Sequence, residues 1–160
     1  MEVQIQRVEE RDLPSILPLY AQLGQDSGRV LPLDEARIIL ARMLDYPDYR
    51  LYAAVVRGEI VGVLGLLVMD NLGHLGAPSG VVEDVVVRED WRRRGIGRKM
   101  IDFAMNYCRS KGCYKLALSS NLNREEAHRF YERLGFKKHG YSFSVEISID
   151  ARAPGTNTGP

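Results

Sequence analysis

A chain of 160 residues is long enough to bury a core and fits the usual size of one domain. Apolar residues at 45% and charged residues at 27% exclude a disordered or membrane-embedded chain, and a formal net charge of +1 excludes a strongly basic or acidic protein while allowing a local basic patch. Cys108 and Cys113 have neither the number nor the spacing of a metal cluster or a disulfide framework, which predicts a reducing, cytoplasmic setting and no metal. Residues 1–7 lack the apolar core of a signal peptide, and no run approaches the roughly 20 apolar residues of a membrane span.

In chain order, Val3 and Ile5 alternate with polar neighbours and predict a short first strand ending near Val8. Asp12 is placed to cap a helix whose Leu13, Ile16, Leu17, Tyr20 and Leu23 share a stripe, with Pro18 inside it as a kink and Gly24 after it. A loop over 25–32 precedes a second helix from Asp34 to Asp45. Residues 50–56 and 60–69 read as a hairpin around Arg57-Gly58-Glu59. A turn-rich connection over 71–79 leads into a strand over 80–87.

From Ile96 the period becomes helical, through Met100, Phe103, Ala104 and Tyr107, and stops at Lys111-Gly112. A strand over 114–118 follows, then a short helix with Ala127, Phe130, Tyr131 and Leu134 on one face, Asn123 and Glu126 as a capping pair, and Gly135 as its stop. Residues 136–138 and 141–147 are the last strand candidates. One domain over 1–150 with a loose tail over 151–160 is expected.

The stretch Val85-Val86-Val87 runs into Arg92-Arg93-Arg94-Gly95-Ile96-Gly97-Arg98. Glycines between a strand and a helix let backbone N–H groups approach an anion, and the helix dipole adds positive charge there. The arginines add formal charge at the same point, which suits a pyrophosphate. A Walker loop is excluded by Gly97-Arg98-Lys99-Met100, and a dinucleotide fingerprint by Met100 where its third glycine belongs.

Arg92-x-x-Gly95-x-Gly97 resembles the Arg/Gln-x-x-Gly-x-Gly/Ala acyl-CoA loop of the GNAT superfamily of N-acetyltransferases, and Ala127 to Phe136 is similar to that family's Ala-x-x-x-Tyr-x-x-x-Gly-Phe element. The order of elements from about Val3 to Ile147 looks like the same family. The resemblance implies an α/β (α+β) fold with a mixed sheet of about six to seven strands and about four helices. It implies acetyl-CoA as co-substrate, held by the backbone of Val85, Val86 and Val87 and by Arg92, Arg93, Arg94, Gly95, Ile96, Gly97 and Arg98, with a backbone N–H near Val85 polarising the acetyl carbonyl.

By regular alternation Glu83, Val85 and Val87 share a face, which puts a carboxylate beside the thioester. It resembles the family's catalytic base; a solvated strand residue is the plain alternative, and Asp84 competes for the role if the strand is bulged. Tyr131 matches the family tyrosine that protonates the leaving thiolate, with a core aromatic as its plain reading. The family's asparagine spacing falls on Arg124, so Asn123 is either a shifted CoA contact or a helix cap.

Short matches around Val82-Glu83-Asp84, Gly112 to Leu116 and Phe130-Tyr131-Glu132 are similar to glucosamine-6-phosphate N-acetyltransferases. They point to a small amine acceptor carrying a phosphate or phosphonate, with Arg29, Arg37, Arg42, His128 and Arg129 as candidate anion groups. A polyamine or peptide acceptor, with Asp26, Asp34 and Glu35 near it, is the alternative, as is a non-catalytic acyl-CoA sensor. A nucleic-acid partner is disfavoured because the basic residues occupy one loop without interleaved aromatics. A homodimer is expected through the last strands, as in many members of that family.

Overall fold

The computed structural model describes residues 1–24 and 26–145. They belong to two compact units, Met1–Leu122 and Asn123–Pro160. The expected tail, 151–160, lies outside the described residues.

In the first unit, five strands form one sheet in chain order: β1 (Gln4–Arg7), β2 (Tyr49–Val56), β3 (Glu59–Met69), β4 (Ser79–Val87) and β5 (Lys115–Ala117). The first four are an antiparallel meander and β5 runs parallel to β4. A parallel step needs a crossover, which α3 (Ile96–Ser110) supplies. Helices α1 (Leu13–Tyr20) and α2 (Leu33–Leu44) sit between β1 and β2 in the chain. Pro18 lies inside α1, which narrows to a 3-10 turn at Ala21–Leu23 before Gly24 turns the chain at φ 72°. Asp12 does not cap α1 as expected: its carboxylate accepts the Glu9 N–H at 2.9 Å and closes the turn before the helix.

Tyr52 and Ala53, adjacent in β2, show how the layers stack. Ala53 packs with Val8, Ile16, Leu19, Val63 and Val86 on the α1 side, whereas the Tyr52 ring meets Phe103 of α3 at 4.7 Å. Since successive strand residues point to opposite faces, α1 and α3 cover opposite faces of the sheet. Ile96, Met100, Ile101, Ala104 and Cys108 form the buried stripe of α3, and each fully buried aliphatic there contributes about 1.5–3 kcal/mol. A Cβ on Gly62 would stand 2.9 Å from Met100 Sδ, so the glycine permits the close approach of α3 to β3. At the far end of α3, the Asp48 carboxylate accepts the Tyr107 hydroxyl at 2.7 Å and pairs with Lys111 Nζ at 2.9 Å.

The second unit holds α4 (Glu125–Arg133), giving four α-helices among the described residues. Its N-cap is Arg124, one residue past the expected Asn123. At its other end Gly135 takes φ 93°, with Gly135 N–H donating to Glu132 C=O and Phe136 N–H to Tyr131 C=O. These two bonds define a Schellman stop, and the ring contact of Tyr131 with Phe136 at 5.7 Å is its apolar closure. The Tyr-x-x-x-Gly-Phe spacing is therefore also a helix terminator. No strand forms over 136–138 or over 141–145, and residues 146 and 147 of the expected last strand lie outside the described residues; the sheet among the described residues has five strands, against the six to seven expected. Tyr141 and Phe143 are both 91% exposed, and no strand among the described residues pairs with them.

Candidate active site

Strand β4 departs from regular alternation where the chemistry is expected. Glu83 stands opposite Gly65 of β3 and Val86 opposite Val63, so three steps on β4 match two on β3. The extra residue is a bulge, and Asp84 takes it up at φ 49°. One inserted residue inverts the parity of everything beyond it. Val82 and Val86, both buried, therefore lie on opposite faces: Val82 on the α3 side and Val86 in the cluster under α1.

The expected common face of Glu83, Val85 and Val87 is thus corrected. Glu83 shares the α1 face with Val63 and Val86, while Val87, opposite Gly62, shares the α3 face. Regular alternation would also have sent Asp84 away from Glu83; instead both carboxylates raise the pKa of Tyr49, after the larger effect of its burial. Burial, and then the Asp84 charge, also raise Tyr20 well above the ordinary phenol value. Glu83 itself is raised above the usual carboxylate range by partial burial and by the neighbouring Asp84 charge. A carboxylate raised in this way holds a proton better, which suits a group that must accept one from an ammonium.

Tyr20 and Tyr49 carry no motif, and periodicity reads Tyr20 as a core stripe residue. Only the fold brings them to the two carboxylates. Gly65, across from Glu83, would place a Cβ 3.5 Å from the Glu83 carbonyl oxygen and 3.5 Å from Tyr49 Cε2.

Pairing of β4 with β5 ends at Val81 opposite Ala117. From Val82 to Val87 the β5-side edge of β4 has no strand partner among the described residues, which leaves backbone groups available to an extended ligand. The chain then passes through a 3-10 turn at Glu89–Trp91, tied down where Glu89 N–H donates to Gln22 Oε1 at 2.9 Å. Arg93 at φ 59° and Gly95 at φ 80° turn the backbone into α3. The first helical bond runs from Lys99 N–H to Gly95 C=O at 3.1 Å, so Ile96, Gly97 and Arg98 present N–H groups with no acceptor inside the helix. A 15-residue helix adds the positive end of its dipole there, which fits the donor set a pyrophosphate requires.

The arginines divide their work. Arg92 Nε donates back to the Val87 carbonyl at 3.1 Å. Arg88 pairs with Glu59 and Asp90, and Arg94 lies over the Trp91 ring at 4.9 Å. Arg98 reaches Asp102 at 3.6 Å. Arg92 and Arg94 therefore shape the loop, and its backbone carries the donors.

In the second unit, Tyr131 packs between Phe130 at 5.1 Å and Phe136 at 5.7 Å. Burial raises its phenol above the ordinary value and Arg124 pulls the other way, so it is protonated throughout the physiological range. Among the candidate anion groups, Arg37 is held by Glu10 at 3.0 Å and Asp34 at 2.8 Å, and Arg129 by Glu125 at 3.4 Å.

Residues 16–136 match the model of the Acetyltransferase (GNAT) family. The chain belongs to that family. The GNAT chain is 32% identical over 147 residues to a glucosamine 6-phosphate N-acetyltransferase of Trypanosoma brucei brucei, covering 92% of this chain and 97% of the relative. It is 33% identical over 107 residues to an aminoalkylphosphonate N-acetyltransferase of Salmonella typhimurium, covering 67% and 68%. Among solved structures, an acetyltransferase of Trypanosoma brucei superposes with a TM-score of 0.75 at 29% identity, over 91% of this chain and all (100%) of that one. The protein is a GNAT N-acetyltransferase, of a family whose co-substrate is acetyl-CoA. No helix among the described residues is long and apolar enough to cross a membrane.

Proposed function

We propose that the protein acetylates the primary amine of a small phosphorylated or phosphonate molecule, with Glu83 as base and Tyr131 as acid. The observation that carries this reading is the bulge at Asp84: it leaves Glu83, with its raised proton affinity, exposed on β4 where the strand loses its β5 partner and just before the basic loop. The acceptor class is supported by the names of the two relatives, which act on an amino sugar phosphate and on aminophosphonates.

An alkylammonium with a pKa of about 10.4 is almost wholly protonated at neutral pH and cannot attack. Glu83 takes that proton directly or through water, and Asp84 beside it favours a cation at the same place. The free amine attacks the acetyl carbonyl, the C–S bond breaks and the departing thiolate takes the Tyr131 proton; the attacking nitrogen gives up its surplus proton, which returns to the Tyr131 phenolate through solvent, and Glu83 releases its own to water. The backbone of Val85–Val87 would hold the pantetheine arm, and the N–H groups of Gly95–Arg98, with Arg92, Arg93 and Arg94 around them, the pyrophosphate. Asn123 is a further CoA contact in this reading. The protein works in the cytoplasm as a homodimer, a reading supported by the exposed apolar side chains of Tyr141 and Phe143.

A polyamine acceptor is the second reading, favoured by the adjacent carboxylates of Glu83 and Asp84 and by the engagement of Arg37 with Glu10 and Asp34. A thiol-release assay with acetyl-CoA across amino sugar phosphates, aminophosphonates, polyamines and peptides decides between them. Release with the phosphorylated amines alone supports the first reading, release with polyamines alone supports the second, and release with none, despite CoA binding, rejects both.

A further inference from the structure

The end of α3 is built like the end of α4, with a pair of thiols in place of a pair of rings. Gly112, at φ 73°, follows the last turn; its N–H donates to Arg109 C=O at 3.1 Å, and Cys113 N–H donates to Cys108 C=O at 3.0 Å. These are the two bonds of a Schellman stop, which brings the side chains at its first and last positions together. In α4 those positions are Tyr131 and Phe136, whose rings touch. In α3 they are Cys108 and Cys113, so the same stop brings two thiols together.

We propose that Cys108 and Cys113 form an oxidisable dithiol that hydrogen peroxide closes to an intramolecular disulfide. Cys113 is half-buried and meets the oxidant first, whereas Cys108 is 4% exposed and packs inward. The Cys113 thiolate attacks one peroxide oxygen, the O–O bond breaks, and a sulfenic acid forms with release of hydroxide. The Cys108 sulfur then attacks the sulfenic sulfur; the S–O bond breaks and the S–S bond forms. The Cys108 proton and the one lost by Cys113 leave with the two oxygens, so two thiols and one peroxide give one disulfide and two waters. Burial and the neighbouring thiol push Cys108 up to about 12, which makes it the second sulfur to react.

The bond would form at the seam of the sheet. Cys108 Sγ fills the space where a Cβ of Gly80 would be, and Gly80 pairs with Leu116 in the short β4–β5 ladder. Disulfides in a reducing compartment are transient, so closure is expected to reverse with a dithiol reductant.

The test treats the full-length protein with one equivalent of hydrogen peroxide, then alkylates it and reads intact mass with and without dimedone. The expected result is an unalkylated monomer lighter by two hydrogens, with no dimedone adduct, restored by dithiothreitol. The C108S variant is expected to trap Cys113 as its dimedone adduct. Wild-type protein that keeps both thiols, that carries a dimedone adduct at Cys113, or that links two chains would overturn the proposal.

Discussion

Glu83 and Asp84 are consecutive in β4, yet both carboxylates act on one hydroxyl, that of Tyr49. A regular strand would send them to opposite faces; the left-handed turn at Asp84 prevents it. Partial burial, and then the Asp84 charge, oppose the ionisation of Glu83, which retains its proton to higher pH than an isolated carboxylate. Over that range the acetylation rate is expected to climb with pH as Glu83 becomes a free base. Asp84→Asn removes the opposing charge and should shift the acid limb of the kcat/KM profile to lower pH; an unmoved limb would separate Asp84 from the reaction.

The same raised pKa has a stability consequence. The folded state binds the Glu83 proton more tightly than the unfolded chain, so this contribution is complete below the unfolded carboxylate value and fades as pH rises through the folded one. At neutral pH the ionised group is held at a cost. Glu83→Gln is therefore expected to melt higher than wild type at pH 7, with the difference vanishing below the ordinary carboxylate range. A variant that melts lower at pH 7 would show that Glu83 is a structural ion-pair partner.

Tyr131→Phe keeps the ring between Phe130 and Phe136 and removes only the hydroxyl. Turnover should fall about a hundredfold, the scale of a lost general acid, with acetyl-CoA affinity unchanged. Equal turnover would leave Tyr131 as the apolar closure of the α4 stop alone.

Two β3 glycines make opposite predictions. In Gly62→Ala the new carbon would stand 2.9 Å from Met100 Sδ and 3.0 Å from the Val86 carbonyl oxygen, a crowding that costs about 1–3 kcal/mol in urea unfolding. In Gly65→Ala the nearest atoms are 3.5 Å away, an ordinary contact, and stability should hold. Equal losses at the two positions would contradict the placement of α3 over Gly62.

Asp48 is raised by burial, but hydrogen bonds from Lys111 and Tyr107 outweigh this and hold its pKa below the usual value. A depressed folded pKa contributes stability above the unfolded value that is lost as pH falls through the folded one. Asp48→Asn is expected to cost about 1–2 kcal/mol at neutral pH and to flatten acid unfolding below the ordinary carboxylate range. An unchanged acid limb would place the acid sensitivity elsewhere.

The order of elements was legible because most have a pattern and a stop: Val- and Leu-rich runs in β2 to β4, a helical stripe in α3, and glycines at positive φ closing α3 and α4. The loop was legible for the same reason, since Gly95 and Gly97 have a backbone purpose. The direction of Glu83 was not, because a bulge leaves no mark in composition: Asp84 is a residue that any strand accepts at its surface. Tyr20 and Tyr49 were hidden by distance in the chain, and the partners of Arg92 and Arg94 by the loop's own turn. Tyr141, Phe143 and Val145 alternate with polar residues, a pattern that states which side chains want a cover but not whether a neighbouring strand supplies it.

Proton transfer from the acceptor to Glu83 is the central step of the proposed reaction. Glu83→Gln, assayed with saturating acetyl-CoA and glucosamine 6-phosphate, tests this most directly alongside the dissociation constant for CoA. The prediction is a fall in kcat of about a hundredfold or more, with CoA affinity kept and the acid limb of the pH profile lost. A variant that turns over like wild type, with its acid limb intact, would contradict it.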